Sequence, residues 1–321
     1  MSVHTAAAQA SARGLLARSW EANKPLTGVG VAMIVTLLLA AVGLVVDPRV
    51  ITGAPAWLKP AKFAISITLY SFTFLWLLTF VKGHPRVVRL VSWITAIAFV
   101  VEMVLIVGAA ALGTTSHFNV STPLHAAVWS TMGTAIVAAW VAGLIVGVLL
   151  LRQRLADQAF AWSLRLGVLI SAVGMGLAFF MTSPTAQQLQ GARSGQGMDI
   201  VGAHAVGVAD GGAGLSVVGW STEGGDLRVG HFFGLHALQL LPFIGFALTR
   251  WAPAWLRARD RVALVWTAGI AYLAFVLLVT AQALRAQPLL SPDALTLAGL
   301  GVIVGGAALA TAIIVRKAKT A

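Results

Sequence analysis

Residues 88–111 read VRLVSWITAIAFVVEMVLIVGAAA, and only Arg89, Ser92, Thr95 and Glu102 interrupt the apolar run. A helix of about 20 such residues crosses the roughly 30 Å hydrocarbon core of a bilayer. Lipid offers no partner to a peptide N–H or C=O, so a stretch like this must be helical, with its backbone bonds closed internally. Seven more runs share the character, at about 27–46, 62–81, 124–150, 161–182, 231–249, 262–283 and 294–315. The run at 124–150 is long enough to tilt or to project from the bilayer.

Eight spans agree with the composition. The 321 residues are 59% hydrophobic and 10% charged, with a mean hydropathy of +0.89. A soluble domain carries about 25% charged residues, which excludes a soluble globular enzyme as well as a disordered or fibrous chain. The expected fold is an all-α, polytopic membrane helix bundle of about eight transmembrane helices. It reads as one transmembrane bundle over 27–316, preceded by an N-terminal arm over 1–26 and followed by a short tail over 317–321. The lipid bilayer is the obligatory partner.

The net charge of +12 and pI near 11.4 would point to nucleic acid in a soluble protein. Here the basic residues occupy short connections and form no continuous face, so no nucleic-acid partner is expected. Sixteen of the 22 lysines and arginines fall on the side that holds both termini, beside only Glu21, Asp157 and Asp260. The opposite side carries six basic and six acidic residues. The positive-inside rule makes both termini cytoplasmic, and the expected location is a bacterial plasma (inner) membrane. Residues 1–24 contain Arg13, Arg18 and Lys24 but no compact apolar core with a cleavage site, so the arm is not read as a signal peptide. It is expected to form a short helix on the membrane surface. The chain has no cysteine, which excludes disulfides, thiolate metal sites and a cysteine nucleophile.

The longest connection, about 183–230, lies on the outer side and contains 12 glycines. Loops of that length are uncommon in compact proteins and are often functional. Between His204 and Trp220, Asp210-Gly211 has the chemistry of a hairpin reversal.

Glu102 is the one acidic residue far from a loop. It lies roughly 15 Å below the outer end of its helix, where a carboxyl must be protonated or paired. It is expected to face the bundle interior as a proton carrier, a cation ligand or the partner of a buried base. Five of the seven histidines, His117, His125, His204, His231 and His236, fall on the outer side. His231 and His236 are five residues apart and do not share a helix face, whereas His236 and Gln239 do. No tight metal-ligand motif occurs, so a haem or transition-metal site has to be assembled across helices. His125 and His236 are the preferred ligands, with Gly234 allowing close approach of a flat ligand or another helix. Arg228, Lys59 and Lys62 are candidate partners for haem propionates or an anionic small molecule at the outer face, with Arg228 and Lys62 preferred. The stretch 55–63, PAWLKPAKF, reads as a fixed turn at headgroup level.

Eight helices with cytoplasmic termini and outward histidines resemble the architecture of haem A synthase. The resemblance is one of topology, and no functional residue is carried over from it. The sequence reading therefore favours a haem- or metal-binding redox protein, an oxidoreductase of the membrane. A proton-coupled transporter using Glu102 is the first alternative. The second is a membrane-embedded metal-dependent hydrolase in which Asp226, His231 and His117 supply acid–base groups.

Overall fold

The computed structural model describes residues 14–320. The first thirteen residues of the arm, with His4 and Arg13, and the last residue of the tail lie outside the described residues. Residues 14–22 are helical. They are followed by α1 (Lys24–Val46), the two-residue strands β1 (Val50–Ile51) and β2 (Ala54–Pro55), α2 (Leu58–Leu78), α3 (Pro85–Leu112) and α4 (Pro123–Arg152). Next come α5 (Gln158–Gly176), the single turn α6 (Phe179–Thr182) and α7 (Ala186–Arg193). The strands β3 (Ala205–Val206) and β4 (Gly225–Asp226) precede α8 (Leu227–Trp251), α9 (Ala258–Leu284) and α10 (Ala294–Thr320). Among the described residues, eight helical segments are long and apolar enough to cross a membrane, the fifth of them running from Gln158 to Arg193. The protein is an all-α polytopic membrane bundle.

Helix boundaries follow local chemistry. The Asn23 side chain accepts from the Leu26 amide, Thr122 from His125 and Asp157 from Phe160, each capping orphan N–H groups at a helix start. Pro25, Pro85 and Pro123 stand in first turns, where a missing N–H costs nothing. α3 stops at Gly113, whose φ of 72° is left-handed and therefore suits glycine.

The helices fall into two compact units. The first comprises residues through 51, 55–116 and 128–146, that is α1, α2, α3 and the middle of α4. Its core includes Val29, Met33, Ile67, Phe99 and Met103. The second comprises 52–54, 117–127 and everything from 147 onward. There α5 and α8 lie against each other through small residues. A Cβ added at Gly174 would run into the backbone of Gly234, and one at Gly245 into the Ser163 side chain. Lipid tails are as apolar as leucine, so close backbone packing of this kind replaces the hydrophobic drive of a soluble core. α10 buries only Thr296 and Ala318, and presents most of its apolar surface outward.

The long outer connection is more ordered than its glycine content suggests. It contains α7, whose start is a reciprocal Thr185–Gln188 capping box, and the antiparallel pair β3–β4. A second ladder joins Gly214 to Ser221, and Leu215 N donates to Trp220 O at 2.8 Å. The chain turns at Asp210-Gly211, as the turn chemistry predicts, with Gly211 at φ 92°, and turns again at 216–218. The Asp210 carboxylate also accepts from the His204 and Ala205 amides, so the residue braces the base of this segment.

Candidate functional site

In the first unit, Glu102 lies on α3 and is 2% exposed, the deepest acidic group of the unit. It faces the interior, as its depth requires. The cation whose field reaches it is Lys59 in the first turn of α2, one turn before the predicted Lys62. The 55–63 turn is held by Trp57, the aromatic of the stretch, through a partner the sequence did not show. Trp57 Nε1 donates to Asp47 Oδ2 at 2.7 Å, and Arg49 donates to the same carboxylate. The Arg49 and Trp57 hydrogen bonds hold the Asp47 carboxyl well below the usual carboxylate range. Arg49 also donates to Ala111 O at 2.9 Å, placing its charge at the C-terminus of α3 where a cation is favoured.

Below Glu102, α3 carries a polar stripe. Ser92, Thr95 and Glu102 follow one another at three- and seven-residue spacing, so they share a face, and all three are buried. Ser92 receives a hydrogen bond of 2.6 Å from Asn23 Nδ2, just ahead of α1. Thr27 on α1 and Ser71 on α2 are also fully buried.

The second unit holds His117, His125, Asp226, Arg228, His231 and His236. Asp226 caps α8, and its side chain is fully buried. Four donors occupy its two oxygens: the amides of Ser221 and Arg228, and Nε and Nη2 of Arg228. Arg228 Nη2 also donates to Gly219 O. Asp226 and Arg228 are thus engaged with each other and with the hairpin.

His117 and His204 flank Phe118. Phe118 meets the His117 ring at 6.2 Å and the His204 ring at 4.7 Å, both edge to face. The 117–121 segment pairs with 199–201, with Val120 N donating to Asp199 O and Val201 N to Phe118 O, each at 2.8 Å. His204 Nδ1 lies 2.8 Å from Asp210 Oδ2. Burial works against the charge on Asp210, but the His204 hydrogen bond, its nearby charge and the two amides hold the carboxyl down at about 2.

His231 Nδ1 donates to Gly174 O at 2.8 Å. The close approach expected at Gly234 is made by another helix, since the backbone of Gly174 fills that position. His236 Nδ1 lies 3.2 Å from Gln239 Oε1, as the i, i+3 spacing predicts, and its ring packs on Phe232 at 4.3 Å. His125 Nδ1 lies 3.1 Å from Thr122 Oγ1 and 3.3 Å from Ser121 Oγ.

Among the described residues, no three His, Asp or Glu side chains gather in a way that could hold a metal ion. No family model, curated protein or solved structure matches the chain. Sequence reasoning named Lys59 as an anion partner and Trp57 as part of the fixed turn, and missed the role of Asp47. Its signal was an acid and a tryptophan bracketing one short connection.

Proposed function

We propose that the protein is a proton-coupled membrane transporter and that Glu102 carries the proton. One observation supports this reading above others: a carboxyl buried within a span, with a lysine positioned to act on it electrostatically. An ionisable group at that depth costs several kcal/mol unless it is neutralised. A carboxyl that alternates between proton and lysine as its neutralising partner has two low-cost states, and a transport cycle needs both. Lys59, near the outer end of α2, is the group that competes with the proton.

The test is proton flux into proteoliposomes, followed with a trapped pH dye under an imposed gradient. Glu102→Gln should abolish flux, and Glu102→Asp should retain part of it. Flux in the Gln variant equal to the native protein would eliminate Glu102 as carrier.

A second reading, haem or metal binding, draws on the two preferred histidines. Both His125 and His236 hold Nδ1 against a side-chain oxygen, an arrangement that fixes the ring and leaves Nε2 as the ligand atom. A Soret band in the purified protein, lost in His125→Ala and in His236→Ala, would favour it. A colourless, metal-free protein from cells with ample haem and metal would remove it.

A further inference from the structure

The hydroxyl oxygens of Thr27, Ser71 and Thr95 are buried without a hydrogen-bond partner among the described residues. A helix usually satisfies such a group by letting it donate to a carbonyl one turn back. Thr36, Thr68, Ser92 and Thr134 of the same unit all do this. Thr27, Ser71 and Thr95 do not, and they sit on α1, α2 and α3, three helices that pack pairwise.

Their levels agree. Counted along each helix from the end that the positive charges mark as cytoplasmic, Thr27 is roughly 4 Å in, Ser71 and Ser92 roughly 10 Å, Thr95 roughly 15 Å and Glu102 roughly 25 Å. Two contacts tie the helices together at these levels. Asn23 is bonded to Ser92, and Phe72, next to Ser71, closes on Gly30, one turn beyond Thr27. Between Thr95 and Glu102 on the same face stands Phe99, which meets the Tyr70 ring edge to face at 5.2 Å.

Buried hydroxyls without a protein partner are characteristically satisfied by ordered water. We infer that Thr27, Ser71 and Thr95 line an internal water site on the cytoplasmic side of the first unit, and that the Phe99–Tyr70 pair separates this water from Glu102. The site deepens the proton reading and rests on it for its purpose: the water is the cytoplasmic reservoir from which Glu102 takes its proton, and the aromatic pair is the gate between them. The outward side of Glu102 is then served by Lys59, so the two sides of the carboxyl differ in kind.

X-ray radiolysis of the full-length protein in detergent, read by mass spectrometry, tests the water directly, because radicals form where water lies. Phe99, which is buried, and the half-buried Tyr70 should both be oxidised in the native protein. In the Ser71→Ala, Thr95→Val double variant their oxidation should fall about five-fold, with that of Trp255 in the 252–257 connection unchanged. Thr95→Ser should restore most of it in the single-site comparison with Thr95→Val. If the double variant does not fold, the two single variants decide. Tyr70 and Phe99 left unoxidised in the native protein, or oxidised equally in folded variants, would overturn the inference. Proton flux separates the two ideas: oxidation as expected with flux indifferent to Glu102→Gln keeps the water and removes the carrier. Flux lost in Glu102→Gln with no internal oxidation does the reverse.

Discussion

His231 and Gly174 are joined by a hydrogen bond from the imidazole Nδ1 to a backbone carbonyl, 2.8 Å long. α5 ends at Gly176, so Gly174 is among the last residues of the helix, whose carbonyls lose their intrahelical donors. His231 caps that carbonyl from α8. Three residues on, Gly234 lies against the same glycine so closely that any Cβ there would strike backbone. Both residues therefore hold α5 to α8. His231→Phe should destabilise the detergent-solubilised protein by about 1–2 kcal/mol and Gly234→Val by about 1–3 kcal/mol. Both should leave the proton flux per folded molecule intact. A catalytic His231 would give the opposite pattern, with thermal midpoint preserved and activity lost.

The Asp210 carboxylate, held near 2 against an ordinary 3.8, makes the hairpin base acid-sensitive. A carboxyl with a depressed folded value stabilises the fold fully above the ordinary value, and the stabilisation is lost as pH falls through the folded one. The window is thus pH 4 down to 2. Amide hydrogen exchange should show constant protection factors for His204 and Ala205 above pH 4 and a fall below it. In Asp210→Asn, protection should be low at every pH. Protection that is flat from pH 5 to 2 in the native protein would show that the carboxylate does not brace this loop.

Asp226 and Arg228 were expected to serve a site, one as an acid–base group and the other as an anion partner. Their geometry predicts a structural effect first. Asp226 takes hydrogen bonds from both Ser221 and Arg228 while capping α8. Removing it strands the Arg228 guanidinium and the Ser221 amide together. Asp226→Ala should lower stability by about 2 kcal/mol and expose the 207–224 segment to protease. Arg228→Lys keeps the charge but not the fork, and a lysine cannot reproduce the paired contact, so it should give a smaller loss in the same direction. Intact resistance to cleavage in Asp226→Ala would show that the hairpin is held elsewhere.

The spans were legible because eight apolar runs have no other stable solution in lipid. Glu102 was legible because one carboxyl among so many aliphatic residues needs an explanation. The turn at Asp210-Gly211 was legible because an aspartate before glycine suits the reversal. That its carboxylate also holds the His204 and Ala205 amides was not, because sequence does not place those amides. Likewise Gly234 admitted a flat ligand or a helix, and the answer lay in Gly174, 60 residues earlier. Periodicity reports a residue's own face. It does not report which face lies opposite, so pairs such as His231–Gly174 and Trp57–Asp47 were out of its reach.

Lys59 and Lys62 provide the sharpest contrast on the candidate site itself. They stand within one turn at the start of α2, and the sequence offers both as partners for an anion, with Lys62 preferred. The Lys59 charge is the one that bears on Glu102. A methionine at either position keeps most of the stem and removes the charge. Lys59→Met takes away the charge proposed to alternate with the proton as the partner of Glu102. Flux should drop about ten-fold, the effect expected when a nearby charge worth about 1.4 kcal/mol is lost. Lys62→Met should change flux by no more than about two-fold. Equal losses in the two variants would mean that the outer lysines act as a general surface charge, with no specific partner for Glu102.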